Sequence, residues 1–200
     1  MKLNRLKLKS GNMYSVMLEG CPPMVLEDIS VYKLGLKEGM EVGGELFEEI
    51  CTLSGREGAK YAATRLLTAG RKTRSELKQK LRQKGFSAED IDAAADTFQN
   101  IGIIDDRSYA EMYVKDAVNL KKYSVRQIKQ KLAQKGIARE IIAEVTAETD
   151  DFTQLYAIIE SEINKSPDKK GIEKLKRRLY SKGFNLWDIN KVLGEYEYET

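Results

Sequence analysis

The sequence predicts an all-α protein of three tandem three-helix-bundle repeats in an elongated array, with a small β-containing N-terminal extension. Three observations predict it. A basic, leucine-bearing string that ends in Lys-Gly recurs three times along the chain. Apolar residues before and after each copy return at helical spacing. Charged residues make up 32% of the chain against only three prolines, a balance that suits soluble helices better than an all-β fold.

The extension, residues 1–53, reads differently from the rest. Leu6, Leu8, Tyr14, Val16 and Leu18 alternate with polar residues on either side of Ser10-Gly11-Asn12, a strand-turn-strand pattern. Cys21-Pro22-Pro23 ends it. Met24 to Leu26 fits a third short strand, Asp28 to Leu34 a short helix, and Glu45 to Leu53 a helix leading into the first repeat.

The repeated string is Glu76-Leu77-Lys78-Gln79-Lys80-Leu81-Arg82-Gln83-Lys84-Gly85-Phe86, with counterparts Gln127 to Ile137 and Lys174 to Phe184. Its glycines are 51 and 47 residues apart, an alanine precedes each by 26 residues (Ala59, Ala110, Ala157), and an isoleucine follows by six (Ile91, Ile142, Ile189). Leu77 and Leu81, Ile128 and Leu132, and Leu175 and Leu179 are four apart and so share a helix face. Gly85, Gly136 and Gly183 fit the left-handed position just past a helix end, which places Phe86, Ile137 and Phe184 back against the last turn. Thr73 and Ser124 stand where a hydroxyl would cap the helix start, with Gly171 a weaker equivalent. A second apolar run follows each glycine and a third precedes each string, so every repeat is a three-helix bundle: residues 55–101, 104–149 and 151–196.

Composition excludes much chemistry. There is no histidine, hence no Ser-His or Cys-His nucleophile pair and no imidazole shuttle. Neither GxxxxGK[ST] nor a strand-to-helix GxGxxG turn occurs, so nucleotide hydrolysis and dinucleotide redox chemistry lack their phosphate cradle. Cys21 and Cys51 read as reduced thiols without a role. No run reaches the roughly 20 apolar residues of a membrane span, and the N-terminus leads into no apolar signal core, which points to a cytoplasmic protein. The expectation is a non-enzymatic protein with no cofactor and no metal.

Charge is concentrated. Arg71–Lys84, Lys121–Lys135 and Lys169–Lys182 together hold 20 basic and 2 acidic residues, while the other 157 residues hold 14 basic and 29 acidic, so one kind of helix is strongly basic on an acidic body. The candidate contact residues are Arg74, Lys78, Lys80 and Lys84; Arg126, Lys129, Lys131 and Lys135; and Lys176, Arg177, Arg178 and Lys182. At 100° per residue, Lys78 and Lys80 and their counterparts border the apolar stripe, about 80° to either side. Alone, such a helix is a solvated face with snorkelling stems, and the lysines before each glycine compensate the helix dipole. Three in register predict a track for a polyanion or an acidic partner. Asp105-Asp106 and Asp150-Asp151 read as helix caps rather than catalytic carboxylates. Tyr109, Tyr113, Tyr156 and Trp187 fall on apolar spacing and read as core, which counts against the alternative of a direct single-stranded nucleic-acid binder, since that would want exposed aromatics among the cations.

Gly102-Ile103-Ile104-Asp105-Asp106-Arg107-Ser108-Tyr109-Ala110, taken with Arg74-Ser75-Glu76-Leu77, Lys84-Gly85-Phe86 and Lys135-Gly136-Ile137, resembles the RecX family over residues 56–196. Leu34 to Met40 is similar to the strand-rich extension of some members. The resemblance implies three tandem bundles forming a curved monomer in the groove of a RecA filament on DNA. There it would modulate, mostly as an inhibitor, filament growth, ATPase, strand exchange and co-protease activity.

Overall fold

Two strands form where the alternation places them. In the computed structural model, which describes residues 1–164 and 169–197, β1 (Leu3–Leu8) and β2 (Met13–Leu18) pair antiparallel, with Leu6 opposite Val16 and Leu8 opposite Tyr14. A register shift between Leu3 and Arg5 turns Leu3 inward, so Leu3 is fully buried while Leu8, at the far end, is exposed. β3 (Met24–Glu27) adds to β2, giving the order β1-β2-β3. After α1 (Asp28–Lys33) the chain returns along β1: Leu3 N–H donates to the Met40 carbonyl at 2.9 Å and Val42 N–H to the Met1 carbonyl at 2.8 Å, which covers that sheet edge.

The helix expected at Glu45–Leu53 and the next one are a single helix, α2 (Gly44–Thr68). Its first half places Ile50 in the sheet core with Leu3, Val16, Leu18 and Leu26, and its second half supplies Ala59 and Ala63 to the first bundle. Gly55 and Gly58 do not break α2 but let neighbours approach: Gly58 lies under the Phe86 ring, and a Cβ at Gly55 would meet the Asp90 carboxylate at 2.5 Å. Glu57 straps α2 to the sheet by accepting from the Glu27 N–H and the Ser30 hydroxyl, both at 2.5 Å.

α3 (Arg74–Arg82) and α4 (Ala88–Asn100) complete the first bundle, with Leu77, Leu81, Ile91, Ala94 and Phe98 buried together. Thr73 caps α3 in a reciprocal capping box with Glu76. Residues 1–104 form one compact unit and 105–200 the other.

In the second unit, α5 (Asp106–Asp116) runs into a π-helical turn at Ala117–Lys121, followed by α6 (Val125–Gln134) and α7 (Arg139–Val145) around Ala110, Ala117, Ile128, Leu132 and Ile142. α8 (Asp151–Ile163), α9 (Lys169–Ser181) and α10 (Leu186–Glu197) enclose Leu155, Ile159, Leu175, Leu179, Phe184, Ile189 and Val192. The two glycine turns of this unit are Schellman caps, with Ile137 N–H on the Leu132 carbonyl at 3.2 Å and Phe184 N–H on the Leu179 carbonyl at 3.3 Å, while at the first bundle's turn Gly85 N–H donates to the Arg82 carbonyl at 3.0 Å. Gly171 is not a cap, because α9 begins at Lys169; the residue before it lies outside the described ones. Trp187 is not core either. It stands one residue inside α10, before the buried stripe of that helix begins at Ile189, and is 65% exposed.

Candidate partner-binding surface

The basic helices are α3, α6 and α9, and each turns its paired apolar residues into its own bundle, which leaves the lysines and arginines on the flanks and outside. Their cations fall into distinct environments. Arg74 bonds the Asp96 carboxylate and the Gln99 side-chain oxygen, each at 2.7 Å, and Lys78 reaches Asp92 at 2.5 Å. The Lys78 hydrogen bond holds the Asp92 carboxyl below the usual carboxylate range. Lys176 pairs with Glu173 at 3.5 Å and Arg178 with Glu162 at 3.1 Å. These four are committed in part to their own fold. Lys80, Lys84, Arg126 and Lys129 are exposed and make no ion pair among the described residues. Arg177 is also exposed, with its Nε donating to the Glu173 carbonyl at 3.4 Å.

Lys131, Lys135 and Lys182 are half-buried and lie over aromatic rings. Lys135 Nζ is 5.3 Å from the Tyr109 centroid, while Lys131, Lys182 and Lys121 stand 5.3, 5.9 and 6.0 Å from that of Tyr123. Lys121 is also 5.2 Å from Tyr113. Each such contact contributes about 0.5–1 kcal/mol at a partly exposed site. The tyrosines are half-buried, packed on the second bundle's core on one side and beside ammonium groups on the other. The sequence expectation of buried aromatics therefore holds only in part. Tyr123 and the adjoining Lys121 and Lys122 were visible in the sequence only as part of a basic run, since the third bundle's Lys182 completes their surroundings.

Asp105 and Asp150 cap α5 and α8, accepting from Ser108 N–H at 2.9 Å and from Thr153 N–H at 2.8 Å. Asp151 serves another helix. It accepts Val125 N–H at 2.7 Å, at the start of α6, and so ties the third bundle to the second. Nearby, Ser124 N–H donates to the Lys182 carbonyl at 3.1 Å, setting the carbonyl end of α9 against the amide end of α6. The two neighbouring carboxyls titrate in opposite directions. Hydrogen bonds from Thr153 lower the Asp150 pKa, whereas burial, followed by the charges of Asp150 and Asp188, raises that of Asp151 against the Val125 bond.

A carboxyl with a raised folded pKa favours the folded state in acid, and that contribution is lost as pH climbs from the ordinary aspartate value through the raised one. Asp151→Asn keeps an acceptor for Val125 and removes the charge. The variant should melt above the parent at neutral pH, with the gain vanishing in acid. Asp150→Asn should melt below the parent at neutral pH, because its lowered pKa contributes stability that is lost only as pH falls. Thermal melts across pH check both, and an Asp151→Asn variant less stable than the parent at neutral pH would contradict the assignment.

Among the described residues, no group of three or more His, Cys, Asp or Glu side chains is placed to hold a metal ion, and no helix is long and apolar enough to cross a membrane. Cys21 and Cys51 are free thiols.

Comparison with known proteins bears on the same segments. Residues 59–97 match the family model for the RecX first three-helix domain, and residues 105–145 that for the RecX second three-helix domain. Regulatory protein RecX of Clostridioides difficile is 32% identical over 171 residues, covering 82% of this chain and 80% of that protein. Regulatory protein RecX of Caldanaerobacter subterraneus subsp. tengcongensis is 29% identical over 189 residues, 94% and 95% of the two chains. A crystal structure of regulatory protein RecX aligns with a TM-score of 0.66 at 19% identity, over 96% of this chain and 98% of that one. RecX from Lactobacillus salivarius aligns at 0.60 and 23% identity, over 72% and 97%.

Proposed function

The chain belongs to the RecX family, and from that premise we propose that it binds the RecA recombinase filament on DNA and regulates it, chiefly as an inhibitor of filament growth, ATPase, strand exchange and co-protease activity. The observation that carries this reading is the recurring basic helix whose exposed cations Lys80, Lys84, Arg126 and Lys129 form no ion pair among the described residues, although the Lys129 charge is felt at the Asp151 carboxyl. Cations already neutralised within a fold gain little from a partner, while unpaired ones can release counterions from phosphate or meet an acidic surface. Arg74, Lys78, Lys131, Lys135, Lys176, Arg177, Arg178 and Lys182 then act as shorter-range contacts around them. On this reading the protein is a non-enzymatic monomer of the cytoplasm that needs no cofactor. It acts by occupying surface that the filament uses.

The test is the single-stranded-DNA-dependent ATPase and strand exchange of the matching recombinase, measured as this protein is titrated in. Both rates should fall with added protein. Unchanged rates, together with no co-sedimentation with filaments, would refute the reading. Direct binding to single-stranded nucleic acid is the second reading, favoured by the lysine-flanked Tyr123.

A further inference from the structure

Lys122, Arg178 and Lys182 gather where the second and third bundles meet, inside one compact unit. The chain leaves the π-helical turn through Lys122, at φ 55° and ψ 48°, the single non-glycine residue with positive φ among the described residues. A left-handed lysine is strained, and a conformation of that kind persists only where its surroundings impose it. Here the Tyr123 N–H on the Ala117 carbonyl at 3.0 Å and the Ser124 N–H on the Lys182 carbonyl at 3.1 Å hold the chain on either side. The strained turn presents Lys122 to a cleft of about 390 Å³ that it shares with Arg178, Lys182, Ser161 and Glu162.

Charge in this cleft is unbalanced. Glu162 lies 3.1 Å from Arg178, so the carboxylate in the lining is already engaged. Lys182 donates to the Lys121 carbonyl and has no counter-ion among the described residues. Burial, then the charges of Arg178 and Lys122, push the Lys182 pKa down, the mark of a cation held among like charges. Tyr123 sits beside Lys182 with two further ammonium groups near its ring.

We propose that this cleft is a phosphate subsite for single-stranded nucleic acid, with Lys122 and Lys182 taking the backbone and Tyr123 flanking the adjoining sugar or base. A nucleotide offers a phosphate and a π-face together, which matches cations set around a ring; an acidic peptide would use the charges alone. The proposal deepens the filament-binding reading by naming a direct nucleic-acid contact, but its evidence in the fold is separate.

Fluorescence anisotropy of a labelled oligothymidylate, free of recombinase, tests it. Lys122→Gly removes the ammonium where glycine relieves the backbone, so the fold should hold. It should weaken binding about threefold and flatten the log-log salt slope by about 0.7. Lys122→Glu should weaken binding about tenfold, while Lys33→Glu, the same charge change on α1, should stay within about twofold. The proposal fails if the parent does not bind the oligonucleotide, or if Lys122→Gly binds it as the parent does with melting temperature maintained. It also fails if the Lys122 variants lose affinity for recombinase filaments alone, since the cleft then reads an acidic protein surface. If they lose the oligonucleotide while the parent leaves filament activity untouched, the cleft stands and the regulatory function falls.

Discussion

Gly183→Ala should lower the stability of the C-terminal unit by about 2–4 kcal/mol, whereas Gly85→Ala should cost about 1 kcal/mol. The two glycines occupy the same position of the repeated string and have similar backbones, φ +92° and +86°. They differ in what surrounds them. A Cβ on Gly183 would lie 2.6 Å from Ser124 Oγ and 2.9 Å from Gln127 Cβ, while one on Gly85 would meet nothing within 4 Å. Ser124 cannot yield without cost, because its hydroxyl caps α6 through Gln127 N–H and removing a cap alone costs about 1 kcal/mol. Gly183 thus ends its own helix and seats the third bundle on the second. Trp187, the sole tryptophan, lies in that unit and reports its unfolding in denaturant, and circular dichroism follows the Gly85 variant. Equal losses at the two sites would show that backbone conformation alone sets the cost.

That contrast marks how far the sequence could be read. The Lys-Gly turns, the Thr73 and Ser124 caps and the apolar pairs four apart were legible because each depends on residues within one or two turns. The short strands were legible for the same reason. The continuity of α2 was not, since Gly55 and Gly58 look like breaks until Asp90 and Phe86 are seen packed on them. Trp187 kept apolar spacing and still faces solvent, because periodicity gives a face and not what covers it. Asp151 looked like a cap for its own helix, but its partner Val125 is 26 residues away. The candidate cations were legible by type and position. Which of them are engaged was not, because Asp92, Asp96 and Glu162 come from other helices. The Lys122 cleft needed a left-handed turn and a neighbouring bundle, neither of which is written in a basic run.

The second large effect follows from those engagements. Arg126→Glu with Lys129→Glu should weaken filament binding about tenfold or more at low salt and flatten the log-log salt slope by about 0.7–0.9 for each phosphate the variant no longer neutralises. Both side chains are exposed on α6 and have no ion pair to forfeit among the described residues, so helicity and melting temperature should stay near the parent's. Arg74→Glu with Lys78→Glu should behave differently. It sets like charges against Asp96 and Asp92 and should lower the stability of the first unit, with a smaller change in salt slope. Measuring filament affinity against salt for both pairs, with circular dichroism alongside, separates contact from scaffold. An Arg126/Lys129 double variant with the parent's affinity and slope would make α6 a solvated face only.

The most direct test compares affinity for recombinase filaments assembled on single-stranded DNA with affinity for the same DNA bare, at one salt concentration. Tighter binding to the filament is the expected result. Equal or weaker binding to the filament, with recombinase activity unaltered, would contradict a regulator that acts on the filament.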